Sequence, residues 1–334
     1  MSKITTSANQ QNDALFVLIK SLTKSEKRQF NLYVGRLDGN IDAKFFSLFK
    51  FLEKLKIYDE KIIIGSGIVS KQQLSNLKAH LYKQILISLR LNPAHKNIRI
   101  QIREQLDFAT VLYQKGLYKQ SLKLLDKAKN LALDNEEKNS AYEIVELEKV
   151  IETQYITRSL SNRANQLSIQ AKELSQLNVM ASKLSNLSLQ LYSHLLQNGY
   201  IKNNEELEFI NNYFNSRLPK YDFKTFGFRE KLWLYKAHLW YSFLIQDFLK
   251  SYKYARKWVS LFKENPKFIV THPVFYLKGK NYLLESSFFV KKVSTFKEEL
   301  QLFESEVAEN KIPLNTNTDL LIFQYLYANK LHLH

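Results

Sequence analysis

The side chains able to do chemistry are scattered along this chain. The histidines are His80, His95, His194, His238, His272, His332 and His334. A zinc-hydrolase helix needs two histidines at i, i+4 with a glutamate between them, so that both rings reach one metal, and no pair here has that spacing. His332 and His334 are close enough to share an ion, but they stand at the very end of the sequence, where fraying is the default. His238, between Trp233 and Trp240, reads as a partly buried structural histidine. Gly65-Ser66-Gly67 lacks the Lys-Ser/Thr of a phosphate loop and the third glycine of a dinucleotide fingerprint, and reads as a turn. Glu136, Glu137, Glu143, Glu146, Glu148 and Glu152 make an acidic helix. Glu143 and Glu146 share a face, but with no histidine nearby the expectation is a solvated surface. The absence of cysteine excludes disulfides, thiolate nucleophiles and cysteine-based metal sites. The chain is therefore read as non-enzymatic, with no cofactor and no metal.

Binding chemistry is better represented. The formal net charge is +17, and it is unevenly spread. Residues 1–100 hold 17 basic and 7 acidic residues, residues 101–200 hold 12 and 11, and residues 201–334 hold 20 and 14. Residues 61–103 contain Lys61, Lys71, Lys78, Lys83, Arg90, Lys96, Arg99 and Arg103 and no acid. Lys83 and Arg90, seven apart, share a flank of one helix. With Lys96 and Arg99 they could contact the phosphates of a nucleic acid. Leu86 and Ile87 interrupt that face and suggest instead that the helix is covered on more than one side. A second region, 220–263, holds all three tryptophans, Trp233, Trp240 and Trp258, among lysines and arginines. Such mixing suits single-stranded nucleic acid or a protein groove. The spacing of Trp233, Ala237, Trp240, Tyr241, Leu244 and Phe248 also suits simple packing against the next helix.

The elements that must carry these residues are helices. Only 8 residues are Gly and 5 are Pro, against roughly 23 and 17 expected from average usage. Such scarcity disfavours turn-rich β folds and doubly wound sheets with phosphate loops. No apolar run is long enough to span a bilayer, and no secretory leader is evident. A cytoplasmic protein without membrane insertion is expected. Thr23-x-x-Glu26 reads as a capping box. Asp42 is placed as the cap of a helix carrying Phe45, Phe49 and Leu52, residues 62–67 as a short extended piece, and Ser70 as the start of a helix that Pro93 ends. Helices are then predicted over 95–115, 117–133, 136–158, 160–177, 180–198, 204–217, 228–249, 251–264, 274–285, 287–309 and 317–331. Breaks are set at Gly116, Gly199, Pro219, Pro266, Pro273 and Pro313. Short connections imply antiparallel neighbours.

Residues 105–134 read Ala109-x2-Leu112-x3-Gly116-x-Tyr118-x2-Ser121-x3-Leu125-x2-Ala128. This resembles a tetratricopeptide repeat, with Leu112 and Ser121 where the family usually has tyrosine and alanine. A second unit, 239–266, is similar through Tyr252-x2-Ala255-x3-Val259-x2-Phe262, and Gly279-x2-Tyr282 resembles a first helix alone. The resemblance implies an all-α fold: a right-handed superhelical array of antiparallel helix hairpins over 93–334, following a basic N-terminal helical module at 1–92. It also implies a scaffold or adaptor that binds a protein or peptide partner in its groove. Aromatic and polar residues on first helices are the candidate contacts: Tyr113, Tyr192, Tyr235 and Lys236. The alternative expectation is a nucleic-acid-binding regulator working through Lys83, Arg90, Lys96 and Arg99.

Overall fold

The computed structural model describes residues 13–37, 44–92, 97–154 and 162–332. Among the described residues it is all-α, with no strand. The chain forms two compact units, residues 1–100 and 101–334.

The first unit holds α1 (Ala14–Ser21), α2 (Lys24–Gly35), α3 (Lys44–Lys54), α4 (Glu60–Gly65) and α5 (Lys71–Leu91). Asp13 caps α1 by accepting from the Phe16 amide at 3.0 Å. The expected capping box is present: Thr23 Oγ1 accepts from the Glu26 amide, and the Glu26 carboxylate accepts from the Thr23 amide. The proposed cap Asp42 lies outside the described residues. Phe30, Phe49, Leu48, Leu52, Leu81 and Ile85 fill the core between α2, α3 and α5. Residues 60–65 form helix rather than the expected extended piece. Asp59 caps this helix through the Lys61 amide, and Ile63 is wholly buried. One buried isoleucine in a capped single turn outweighs the β preference of a three-isoleucine run.

Helix α6 (Ile98–Gln114) starts in the last residues of the first unit, and the second unit holds the rest of it with α7 (Tyr118–Asp134), α8 (Lys138–Gln154), α9 (Arg163–Asn198), α10 (Asn204–Arg217) and α11 (Phe228–Leu244). It continues with α12 (Phe248–Lys263), α13 (Lys267–Thr271), α14 (Pro273–Phe289), α15 (Val293–Ala308) and α16 (Thr316–Leu331). Helices pack on their sequence neighbours, α7 on α8, α8 on α9, α11 on α12 and α14 on α15. They also pack one further along, α9 on α11, α12 on α14 and α14 on α16. A single 36-residue helix, α9, replaces the two expected over 160–198. Nothing between 163 and 198 is Gly or Pro, so no residue there can end a helix cheaply.

The turns explain the glycine scarcity. At Gly116, Glu136, Gln246, Lys291 and Asn310 the backbone takes a left-handed conformation, φ 55–72°. In each case the next amide donates to the carbonyl five residues back: Leu117 to Leu112, Glu137 to Ala132, Asp247 to Ser242, Lys292 to Ser287 and Lys311 to Glu306. This is one helix-ending motif used five times, with glycine at one of the five positions. A side chain in this conformation costs about 1–2 kcal/mol. The helix pairs repeat the turn regardless, and the expected boundaries near 250 and 286 were therefore misplaced. Aligning the turns also shifts the second repeat unit by one helical turn. Ser251, not Ala255, is the counterpart of Ser121, each five residues after its left-handed residue and each wholly buried. Ser121 Oγ donates to the Ala109 carbonyl at 2.7 Å, so Ala109, with its small side chain, marks a close approach of α6 and α7.

Charged residues inside this unit tie helices together. Glu148, expected in solvent, is fully buried on α8. It lies 2.7 Å from Lys129 of α7 and 3.4 Å from Arg163 of α9. Burial pushes its carboxyl up, against the opposing pull of those cations. Lys138 of α8 reaches Glu230 of α11 at 2.6 Å. Lys280 of α14 sits between Glu299 and Glu306 of α15.

Candidate functional site

The four candidate partner contacts do not form one patch. Tyr113 lies on α6, donates to Gln154 Oε1 at 2.9 Å and packs 5.9 Å from the Tyr118 ring. Tyr235 and Lys236 are consecutive on α11, so they point about 100° apart. Tyr235 is buried toward α12, near the rings of Phe223 and Tyr254. Lys236 turns the other way, toward Trp233, Trp258 and Phe275.

That second side is the most organised surface of the unit. Tyr192 of α9 packs 4.7 Å from Trp240 of α11, and Trp240 meets Tyr282 of α14 edge-on at 4.8 Å. Tyr325 of α16 lies close enough to Tyr192 and Tyr282 to be coupled to them electrostatically. Four helices thus contribute one aromatic line. Two ionisable groups flank it. Lys236 Nζ lies 4.0 Å from the centre of the Trp233 ring, 4.8 Å from Phe275 and 5.5 Å from Trp258. Burial, helped by the nearby Lys278, lowers its pKa to about 7. Glu285 is half-buried, and burial alone raises its carboxyl. Neither Lys236 nor Glu285 has a hydrogen-bond or ion-pair partner among the described residues. Elsewhere in the unit buried charges are matched, as at Lys129, Lys138 and Lys280. Two unmatched, desolvated charges of opposite sign beside buried and half-buried rings can receive polar groups from outside the chain.

Trp240, Tyr282, Glu285 and Tyr325 are absent from the expected contacts. The signal is in the sequence: Phe275, Lys278, Tyr282 and Glu285 fall at i, i+3, i+7 and i+10 and line one helical face. It goes unread because that face mixes aromatic with charged residues and so resembles neither a core stripe nor a solvent stripe.

His238 is structural, as its neighbours suggested. Its ring stacks on Tyr254 at 4.3 Å and meets Phe214 edge-on at 5.1 Å. Burial first, then Lys257 and Lys253, lower its pKa to about 4. A histidine held neutral in the fold loses stability when protons force it to charge. The loss begins as pH falls below about 6.5, the unfolded value, and is complete below about 4, amounting to roughly 3 kcal/mol. His238→Phe is therefore expected to match the parent at pH 7 and to exceed it progressively between pH 6 and 4, as read by urea denaturation at each pH. Parallel curves for the two proteins would contradict this.

The proposed phosphate contacts lie in the first unit. Lys83 and Arg90 are exposed on α5 and Arg99 is exposed at the start of α6, while Lys96 lies outside the described residues. Leu86 is 45% exposed, so the described residues of its own unit do not provide the expected cover over that face of α5. Lys78, part of the same acid-free run, is used internally: it pairs with Asp13 and donates to the Tyr58 hydroxyl at 2.8 Å. Of the two C-terminal histidines, His334 lies outside the described residues. The His332 ring stacks on Phe288 at 4.3 Å. Among the described residues no group of three or more His, Asp or Glu is placed to hold a metal ion. Among the described residues no helix is long and apolar enough to cross a membrane.

No protein-family model, no curated protein and no solved structure matches this chain.

Proposed function

We propose that the second unit is a tetratricopeptide-like array of helix hairpins and that the protein is a non-enzymatic scaffold or adaptor. The recurring helix-ending turn at 116, 136, 246, 291 and 310 supports a repeat origin. So does packing between both adjacent and next-but-one helices. Stacked pairs of this kind present a continuous face made from alternate helices. The cysteine-free composition suits a reducing cytoplasm.

One observation carries the binding assignment: the aromatic line Tyr192–Trp240–Tyr282, flanked by unmatched Lys236 and Glu285. Aromatic anchors surrounded by polar rims are the usual energetic centre of a protein interface. The two charges also specify the ligand. Lys278, beside Lys236, and Glu285 are seven residues apart on α14, about 10 Å along its axis. An extended chain advances about 3.3 Å per residue. A segment lying along α14 would therefore place an acidic and a basic side chain roughly three residues apart.

Glu285→Lys reverses one recognition charge at a half-buried site. Affinity capture from an extract of the native host, treated with nuclease, should retain a protein partner on the parent chain. At least tenfold less of it should be retained on the variant, with circular dichroism unchanged. Equal recovery on both proteins, or recovery abolished by nuclease alone, would exclude this surface.

A further inference from the structure

On the side of α11 and α12 where Tyr235 lies, a cavity of about 690 Å³ opens between these helices and the residues preceding α15. Six cations line it: Lys231, Lys250, Lys253, Arg256, Lys257 and Lys292. Lys250 is matched by Asp247 at 2.8 Å. The other five have no ion-pair or hydrogen-bond partner among the described residues, and Glu264 is the one acid on the wall. We propose that this cavity binds single-stranded nucleic acid, gripping successive phosphates with the cations and stacking a base on the exposed Phe223 ring.

Three observations select that ligand. First, the charge is concentrated without compensation, although carboxylates elsewhere in the unit neutralise buried cations. Five like charges around one cavity repel one another, and a polyanion relieves that repulsion. The field is felt inside the fold, where Lys253 and Lys257 help keep His238 neutral. Second, the charges form a line. Lys250, Lys253 and Lys257 occupy successive turns of α12, a rise of about 10 Å, which suits a chain of phosphates better than one small anion. Third, the surroundings are aromatic and apolar. Lys231 lies 5.2 Å from the Phe223 ring centre, Lys257 lies 5.7 Å from Tyr235 and Lys292 lies 4.5 Å from Tyr252. Phe223 is 43% exposed and Leu249 is 65% exposed. Phe223 is the exposed ring of the wall, while Tyr235 and Tyr252 are buried; an exposed ring among aligned cations offers a base a stacking face, which inorganic polyphosphate does not use.

The site is distinct from the aromatic line of Tyr192, Trp240 and Tyr282, and distinct from Lys83 and Arg90. The test is fluorescence anisotropy of a labelled twelve-nucleotide oligouridylate on the full chain, from 50 to 300 mM KCl. Five phosphate contacts predict a slope of log K against log salt near −3.5, since each contributes about −0.7. The Lys253→Gln/Arg256→Gln/Lys257→Gln variant changes exposed side chains only. It should bind at least thirtyfold more weakly at 100 mM, with the slope falling by about 2. Lys83→Gln/Arg90→Gln should leave both quantities unchanged. The proposal is overturned by absence of binding at 50 mM, or by undiminished binding in the triple variant. It is equally overturned if the Lys83/Arg90 variant shows the larger loss, or if an abasic strand or a polyglutamate of equal charge binds as tightly.

Discussion

Replacing Lys280 with methionine is expected to destabilise the 101–334 unit by about 3–5 kcal/mol, the usual penalty for removing one partner of a buried ion pair. Lys280 is wholly buried. Its Nζ stands 3.0 Å from Glu299 and 3.4 Å from Glu306, while the Tyr276 hydroxyl donates to both Glu306 oxygens at 2.8 and 2.9 Å. Methionine matches the lysine stem as far as Cε and removes the ammonium group, leaving two carboxylates facing each other with one cation, Lys263, at the edge, 3.2 Å from Glu299. Burial alone would raise the Glu299 carboxyl, but Lys280 and Lys263 outweigh it and hold the group below its ordinary value. In the parent, that depressed value contributes stability at neutral pH that is lost as pH falls through the folded-state pKa, below about 4.5. In the variant the opposing cation is gone and burial dominates, so Glu299 takes up a proton at a higher pH and the deficit shrinks on acidification. Urea denaturation should therefore show the full loss at pH 7 and a clearly smaller one at pH 5. Adding Glu299→Gln should recover more than half of it at pH 7. A Lys280→Met protein as stable as the parent at pH 7 would mean that the network contributes no net cohesion.

Trp258 and Gly279 should behave as a coupled pair. Trp258 is fully buried on α12. A Cβ added at Gly279 of α14 would lie 2.8 Å from its Nε1 and 2.9 Å from its Cδ1. The indole thus fills the space that glycine leaves, so Gly279 permits a close approach of α14 to α12. Trp258→Ala opens a cavity and is expected to cost about 3–5 kcal/mol. Gly279→Ala forces the two helices apart or the ring out of position and is expected to cost about 1–3 kcal/mol. The indole N–H has no acceptor among the described residues. Trp258→Phe therefore loses packing but no hydrogen bond, and should cost less than Trp258→Ala. In that background Gly279→Ala should be nearly neutral, because the smaller ring vacates the contact. A double-mutant cycle by thermal or urea unfolding measures the coupling. Strict additivity would show that the two residues do not share one space.

Local signals read correctly where one residue acts on its own neighbours. Thr23 and Glu26 cap each other three residues apart. Gly116 ends a helix because its left-handed backbone suits glycine, and apolar residues at helical spacing mark helices throughout. Glu136, Gln246, Lys291 and Asn310 escape such reading, because nothing in an isolated glutamine or lysine announces a left-handed turn. Only the gain from packing one helix back on the last can offset that strain. Glu148 shows the same limit. Among five other glutamates it is read as solvated, and only Lys129 and Arg163, brought in by neighbouring helices, make its burial tolerable. The candidate contacts divide along the same line. Tyr192 meets Trp240 because α9 and α11 are adjacent, while Tyr235, one residue from Lys236, faces the cation-lined cavity.

By itself the sequence determined the class of structure, since scarce glycine and proline, capping residues and helical periodicity are local and additive. It also determined that positive charge dominates and that no cysteine chemistry is available. The tertiary structure decided which charges are matched and which are left facing outward. Lys280 and Lys253 are the same residue type on neighbouring helices, yet one is locked between two carboxylates and the other stands unpaired at a cavity. That difference is set by what the partner helices present within about 4 Å, a property of packing that no single helix contains.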